Sequence, residues 1–258
     1  MPPIRGLIEN TLIDWEGKLA SVVFLPGCNW RCGFCHGRDL VEPGAFNEAI
    51  PLDSVRLALR RQRGWLDGVV ISGGEPTIHP DLPELCRAFR EEEVAVKLDT
   101  NGTRPRMLEQ VIERKLVDYI AMDVKAPLDE RYSEIVRAEA DLDSLRRSIQ
   151  LIMNSGLPYE FRCTVVPTLH DEEEVRAIAE AVAGCRMLYL QSFRPVNCLD
   201  RAFESLTPYT PERMRELCRI AAASVQRCAV RGDAGSEIAG AAGAATILAA
   251  KTQQPQAQ

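Results

Sequence analysis

Leu19-Ala20-Ser21-Val22-Val23-Phe24-Leu25 runs directly into Pro26-Gly27-Cys28-Asn29-Trp30-Arg31-Cys32-Gly33-Phe34-Cys35-His36. The first seven residues form an apolar run rich in β-formers, without polar alternation. Such a run suits a strand buried on both faces. It delivers the chain into a loop carrying three thiols in a C-x-x-x-C-x-x-C arrangement. A loop this short can wrap three sulfurs around three corners of one iron–sulfur cube. Fe–S clusters normally take four cysteines, and the next cysteine here is Cys86. One iron would therefore stay open to an exogenous molecule. A closed zinc site would need a fourth ligand. His36 is the local candidate, but it follows Cys35 directly and its side chain is expected to point elsewhere. Gly27 and Gly33 beside Asn29 and Arg31 describe a loop rather than a buried stripe.

The strand-then-helix pattern recurs downstream. After the cysteine loop, residues 51–62 show helical spacing, with Asp53 and Ser54 near the start. Strand Val69-Val70-Ile71 ends in Ser72-Gly73-Gly74-Glu75-Pro76, with a helix around 81–91. Strand 94–98 ends in Asp99-Thr100-Asn101-Gly102, with a helix around 105–115. Strand 117–121 ends in Met122-Asp123-Val124-Lys125, with a helix around 141–155. Strand 161–166 precedes a helix around 171–184, and strand 187–191 precedes a helix around 211–224. Six strand–helix units imply a parallel sheet. Eight would close a full barrel; six predict an open, partial βα barrel of the α/β class. Val225–Arg231 is a candidate for a short final strand, and residues 4–18 read as an extended lead-in with a turn at Trp15-Glu16-Gly17. The domain is expected to span residues 1–231. The Ala/Gly/Gln-rich stretch 232–258 offers little to bury and is expected to be frayed or disordered.

Polar clusters fall at the C-terminal ends of these strands, the rim where parallel barrels assemble their sites. The glycines of Gly73-Gly74-Glu75-Pro76 would let the backbone approach a ligand; the plain alternative is a tight turn. Asp99 and Asp123 end consecutive strands and should face one rim, joined by Lys125. Three ionisable groups at an apolar mouth are costly unless paired or bound to something charged. Arg162 sits within an apolar strand, where it either pairs with a barrel carboxylate or reaches a ligand. His79 and His170 read as helix-start or loop residues. Cys86, Cys185, Cys218 and Cys228 read as buried small hydrophobes.

The chain has 258 residues, is 46% hydrophobic and carries a net charge of −6. That supports one sizeable core and does not suit nucleic-acid binding. No apolar run reaches transmembrane length. Nine cysteines without a secretory signal point to a reducing, cytoplasmic setting rather than a disulfide framework.

The cysteine loop, with Phe34 before its last thiol, resembles the cluster motif of the radical S-adenosylmethionine superfamily. The resemblance extends through Gly-Gly-Glu-Pro and covers about residues 4–231. It implies a [4Fe–4S] cluster on Cys28, Cys32 and Cys35 whose open iron binds S-adenosylmethionine. Phe34, Gly73, Gly74 and Glu75 would belong to the cofactor pocket, the Gly-Gly-Glu-Pro stretch serving the ligand's amino group. Finer matches are Ile-Asp-Trp-Glu-Gly-Lys, Leu-Pro-Gly-Cys-Asn, Phe-Cys-His, Asp-Thr-Asn-Gly and Met-Asp-Val-Lys. Together they resemble the activating proteins of anaerobic ribonucleoside-triphosphate reductase, relatives of pyruvate formate-lyase activases. By that resemblance Asp99, Thr100, Met122 and Asp123 would hold a monovalent cation, and Lys125 would contact the cofactor carboxylate. Gln191 lies near the place of a ribose-contacting residue, often a histidine. Gly37-Arg38 departs from the common Asn-Pro pair. The implied reaction is reductive cleavage of S-adenosylmethionine to a 5′-deoxyadenosyl radical that takes hydrogen from a glycine of a glycyl-radical enzyme. A low-potential donor such as flavodoxin or ferredoxin would feed the cluster. Two other readings are a radical enzyme acting on a small molecule, such as a deazapurine-forming synthase, and a non-enzymatic Fe–S or zinc module.

Overall fold

The computed structural model describes residues 1–41, 48–232, 237–240 and 246–247. In chain order its elements are β1 (Gly6–Thr11), β2 (Ala20–Leu25), α1 (Arg38–Val41), α2 (Leu52–Arg61), β3 (Gly68–Gly73), α3 (Leu82–Arg90), β4 (Ala95–Thr100), α4 (Pro105–Glu113), β5 (Tyr119–Asp123), α5 (Arg131–Val136), α6 (Leu142–Asn154), β6 (Tyr159–Val165), α7 (Glu172–Ala181), β7 (Leu188–Ser192), α8 (Pro211–Ala221), β8 (Arg227–Arg231), β9 (Glu237–Gly240) and β10 (Thr246–Ile247). All ten strands belong to one sheet, in sequence order. β2 to β8 run parallel, each beside the next, with helices between them. This is an open, partial βα barrel, and the six expected units are all present.

The register sorts side chains by face. Val22, Val70, Lys97 and Tyr119 are successive cross-strand partners and share the inner face. Asp123 pairs with Arg162, and Arg162 with Tyr189, on that same face. The neighbouring outward positions, Val23, Ile71, Leu98, Ile120, Met122, Phe161 and Leu188, are all buried. Each such side chain contributes roughly 1.5–3 kcal/mol when fully buried. The outer face therefore carries the larger apolar core; the inner face holds a small apolar cluster around Val22 and Val70, and its charged groups lie further round the barrel.

Residues 4–18 form more than a lead-in. β1 pairs antiparallel with β2 along its length. The expected turn follows, with Lys18 N donating to the Trp15 carbonyl at 3.0 Å and Gly17 at φ +72°. It tucks Trp15 under Ala20, Val22 and Val70 at the N-terminal mouth of the barrel. A Cβ on Gly68 would come within 2.5 Å of the Trp15 ring, so glycine is required there. Lys97 Nζ reaches down to the Asp14 carbonyl at 2.5 Å, and Tyr189 OH donates to Glu16. The segment stoppers the barrel from below.

Two expectations need correction. The helix α5 was not foreseen; Tyr132, Ile135 and Val136 give it a buried stripe three to four residues apart, too short to stand out in a polar stretch. The stretch beyond 231 is not frayed throughout. Glu237–Gly240 pair antiparallel with β8, and β10 pairs with β9. The open edge of β8 supplies main-chain partners, which composition does not reveal. The rest of that stretch lies outside the described residues.

Candidate active site

The cysteine loop and the ends of β3 to β6 enclose one cleft, lined by Cys28, Cys32, Phe34, Cys35, Gly73, Gly74, Glu75, Asp99, Thr100, Asp123, Lys125 and Arg162 among others. The loop is held by its backbone. Gly74 N donates to the Leu25 carbonyl at 2.9 Å, and Glu75 N to the Gly27 carbonyl at 2.8 Å. From the far side, Leu199 N binds the Cys35 carbonyl and Asp200 N the Gly33 carbonyl, both at 2.9 Å. α5 closes a third side: Arg31 N donates to the Val136 carbonyl at 2.8 Å, and the Tyr132 ring lies 5.4 Å from that of Trp30. Phe34 is buried between Phe203 and His170, edge-on to both.

The glycines and Glu75 turn out to serve the loop. A Cβ at Gly73 would sit 2.3 Å from the Leu25 carbonyl oxygen, and one at Gly74 would sit 1.9 Å from that of Gly27. Glycine here permits β3 to approach the cysteine loop. The Glu75 carboxylate, part of the stretch expected to serve the ligand's amino group, is engaged within the chain. It accepts from Thr77 N and Oγ1 at 3.0 and 2.5 Å, from Thr100 Oγ1 at 2.8 Å and from Asn101 N at 2.5 Å. Burial raises its pKa, against those four donors. Glu75 thus clamps the two turns that end β3 and β4, and Thr100 is one of the groups clamped.

Arg162 is the centre of the rim charges. Its Nε donates to Asp123 Oδ1 at 2.7 Å and its Nη1 to Asp99 Oδ2 at 3.1 Å. Ser72 Oγ also donates to Asp99 Oδ2, at 3.1 Å, while the buried Asp99 Oδ1 accepts no hydrogen bond. Lys125 Nζ donates to Asp123 Oδ2 at 2.8 Å. Burial would raise the Asp123 carboxyl, but Arg162 and Lys125 outweigh it and hold the group below the usual carboxylate range. Burial would likewise lower Lys125; Asp123 and the nearby Cys32 and Cys35 keep it charged instead. Below the rim the network continues: Glu160 meets Lys97 at 3.6 Å and Arg231 at 3.0 Å.

Two expected residues stand apart from the cleft. Gln191 does not line the cleft, because it stands one strand further round; its cross-strand neighbour Thr164 lines it. The Met122 side chain faces outward, where a Cβ on Gly102 would meet it at 2.1 Å. His36 points away from the thiols, as expected: Nε2 bonds the Arg194 carbonyl at 2.6 Å, and the ring stacks near Phe193.

His170 is the residue sequence reasoning missed. It is 1% exposed, its Nδ1 accepts from Val166 N at 3.0 Å, and Nε2–H donates to the Lys125 carbonyl at 2.9 Å. Burial pushes its pKa down to about 4 from 6.5. The folded state thus resists a proton that the unfolded chain accepts. The resulting stability is complete above pH 6.5 and is lost as pH falls towards 4, by roughly 3 kcal/mol at 1.36 kcal/mol per unit. In urea unfolding, the advantage of the native chain over His170→Gln should shrink from pH 7.5 to pH 5. An advantage independent of pH would contradict this role.

An open parallel barrel with a three-thiol loop at its rim defines a class, and similarity agrees with it. Residues 22–182 match the model of the Radical SAM superfamily, and the chain belongs to that superfamily. It is 34% identical, over 88% of its length and 95% of the relative's, to a Methanocaldococcus jannaschii protein named for glycyl-radical enzyme activation. It is 27% identical to the pyruvate formate-lyase-activating enzyme of Clostridium pasteurianum, over 77% of this chain and 84% of that one. Among solved structures, Streptococcus suis SuiB bound to S-adenosylmethionine superposes with a TM-score of 0.63 at 16% identity. That alignment covers 82% of this chain and 52% of SuiB, about half its length, and shows the shared fold.

Family membership implies a [4Fe–4S] cluster and S-adenosylmethionine, and the thiol loop fits a cluster. Trp30 N points at Cys28 Sγ and Gly37 N at Cys35 Sγ, each at 3.4 Å, as donors to thiolates would. Burial pushes the free Cys28 thiol up to about 11 and Cys32 to about 12, so metal, rather than solvent, has to stabilise their thiolate forms.

Proposed function

We propose that Cys28, Cys32 and Cys35 hold the cluster, that the cleft binds S-adenosylmethionine, and that the chain activates a glycyl-radical enzyme. Anaerobic ribonucleoside-triphosphate reductase is the proposed partner, on the finer sequence pattern. Held by Cys28, Cys32 and Cys35, the cluster would supply low-potential electrons for reductive cleavage of S-adenosylmethionine and so for hydrogen abstraction from the partner's glycine. The chain's own residues bind, orient and exclude water. Lys125 is the observation that carries the reading. It is charged, lies beside the cysteine loop, and among the described residues its Nζ donates one hydrogen bond, to Asp123. An ammonium has three donors, so it can keep Asp123 and still receive the cofactor carboxylate. His170 fixes its main chain, and Arg162 keeps Asp123 ionised. Asp99 Oδ1, which accepts no hydrogen bond and meets Lys97 Nζ only at 3.7 Å, supports a monovalent cation near Asp99 and Asp123. Thr100 and Met122 could contribute only main-chain oxygens, since their side chains are engaged elsewhere.

The test is anaerobic incubation of cluster-loaded protein with S-adenosylmethionine, a reductant and the candidate reductase. A glycyl-radical signal in the reductase is expected. Formation of 5′-deoxyadenosine with no radical on any glycyl-radical enzyme would favour the small-molecule reading. Lys125→Met should weaken S-adenosylmethionine binding about ten- to a hundredfold, as loss of one charge-assisted hydrogen bond does, with iron content unchanged. Unchanged affinity would remove Lys125 from the site.

A further inference from the structure

The loops that wall the cleft have a second side. Thr77, Ile78 and Thr103, which directly extend the cleft-lining turns, border an open groove of about 710 Å³ at the starts of α4 and α6. Its charges are uneven. Asp141 is occupied in capping α6, accepting from Asp143 N and Ser144 N at 3.1 Å. Asp143 pairs with Arg146 at 3.0 Å, and Arg147 with Glu109 at 2.9 Å. Arg104 and Arg106 are exposed and border the groove, and among the described residues their guanidinium groups make no ion pair or hydrogen bond. Met107 and Ile78 give the groove an apolar floor. Unpaired cations around apolar surface, on a chain of net charge −6, make this a local exception. Arg and Met are also residue types that protein interfaces favour.

The groove connects to the cysteine loop. Asn29 Nδ2 donates to Thr103 Oγ1 at 3.1 Å, and Thr103 N donates to Asn101 Oδ1 at 3.1 Å. Asn101 Nδ2 lies 4.0 Å from Cys28 Sγ. Thr103, whose Oγ1 also donates to Asn101 Oδ1 at 2.8 Å, and Asn101 thus link the residue before Arg104 to a proposed cluster ligand along the wall of the cleft.

Resting on the function proposed above, we infer that this groove docks an acidic one-electron carrier protein of the flavodoxin or ferredoxin type. The electron enters beside Cys28 through Thr103 and Asn101. The carrier loses one electron, the cluster gains it, and no bond or proton changes hands.

The test is anaerobic stopped-flow reduction of the cluster-loaded protein by reduced flavodoxin, at low and high salt, against photoreduction by 5-deazaflavin, which needs no docking. Charge pairs at an interface rim act mainly on association rate and its salt dependence. The Arg104→Glu/Arg106→Glu double variant should be reduced by flavodoxin about tenfold more slowly at low salt, with most of the salt dependence gone and the deazaflavin rate unchanged. An unchanged flavodoxin rate would overturn the inference. So would equal slowing with both reductants, in this variant and in Arg104→Gln/Arg106→Gln, because the arginines would then act on the cluster itself. Failure of the native chain to hold a cluster would instead overturn the proposed function.

Discussion

Cys32→Ala protein is expected to fold, to hold no stoichiometric [4Fe–4S] cluster, and to cleave no S-adenosylmethionine. The fold survives because the loop is held by its carbonyls and N–H groups, anchored to β3, α5 and residues 199–200, rather than by its thiols. The cluster does not survive because no other sulfur can take the place. Cys198 is buried with its Sγ towards the Arg194 carbonyl, and Cys163 faces the outer core. Iron and sulfide analysis with far-ultraviolet circular dichroism decides it. A full cluster on the Ala variant would remove Cys32 from the ligand set.

Arg162→Met should cost the protein about 3–5 kcal/mol, the range for removing one partner of a buried ion pair. Asp99 and Asp123 end neighbouring strands, and Arg162 bonds both. Without it, two half-buried carboxylates face each other across the rim, with Lys125 left for Asp123 and Lys97, at 3.7 Å, for Asp99. Burial opposes the charge on Arg162, yet Asp123, Asp99 and Glu160 hold it firmly protonated. Denaturant unfolding of the metal-free protein measures the loss; a change below about 1 kcal/mol would mean that water replaces the guanidinium.

The fold was legible because its strands are short apolar runs between helical patterns, and parallel pairing follows from that alternation. The cysteines and the rim acids were legible because they interrupt those runs. Arg162 was visible as an anomaly, but its choice between partners depends on register, which composition does not encode. The Gly-Gly-Glu-Pro stretch was read as serving a ligand from its proximity to the cysteine loop; that the Glu75 carboxylate takes up four donors was not legible, because Thr100, one of their sources, lies 25 residues away. His170 gave no signal, since a lone histidine before a helix cap looks like a surface loop. Gln191 stands one strand further round than its cleft-lining neighbour Thr164, because position within a strand does not tell how far round the barrel that strand lies.

The stopper formed by Asp14, Trp15 and Glu16 bears on biosynthesis. These residues leave the ribosome early, yet Tyr189, the partner of Glu16, is made 173 residues later. Until β7 exists the nascent barrel has an open base, and water reaches Lys97 and Glu160 from both ends. Contacts this distant in sequence form late, because the intervening loop must close first. Iron delivered before residue 189 would therefore meet a loop whose supports at 199–200 have not been synthesised. Cluster insertion belongs after translation, on a finished barrel.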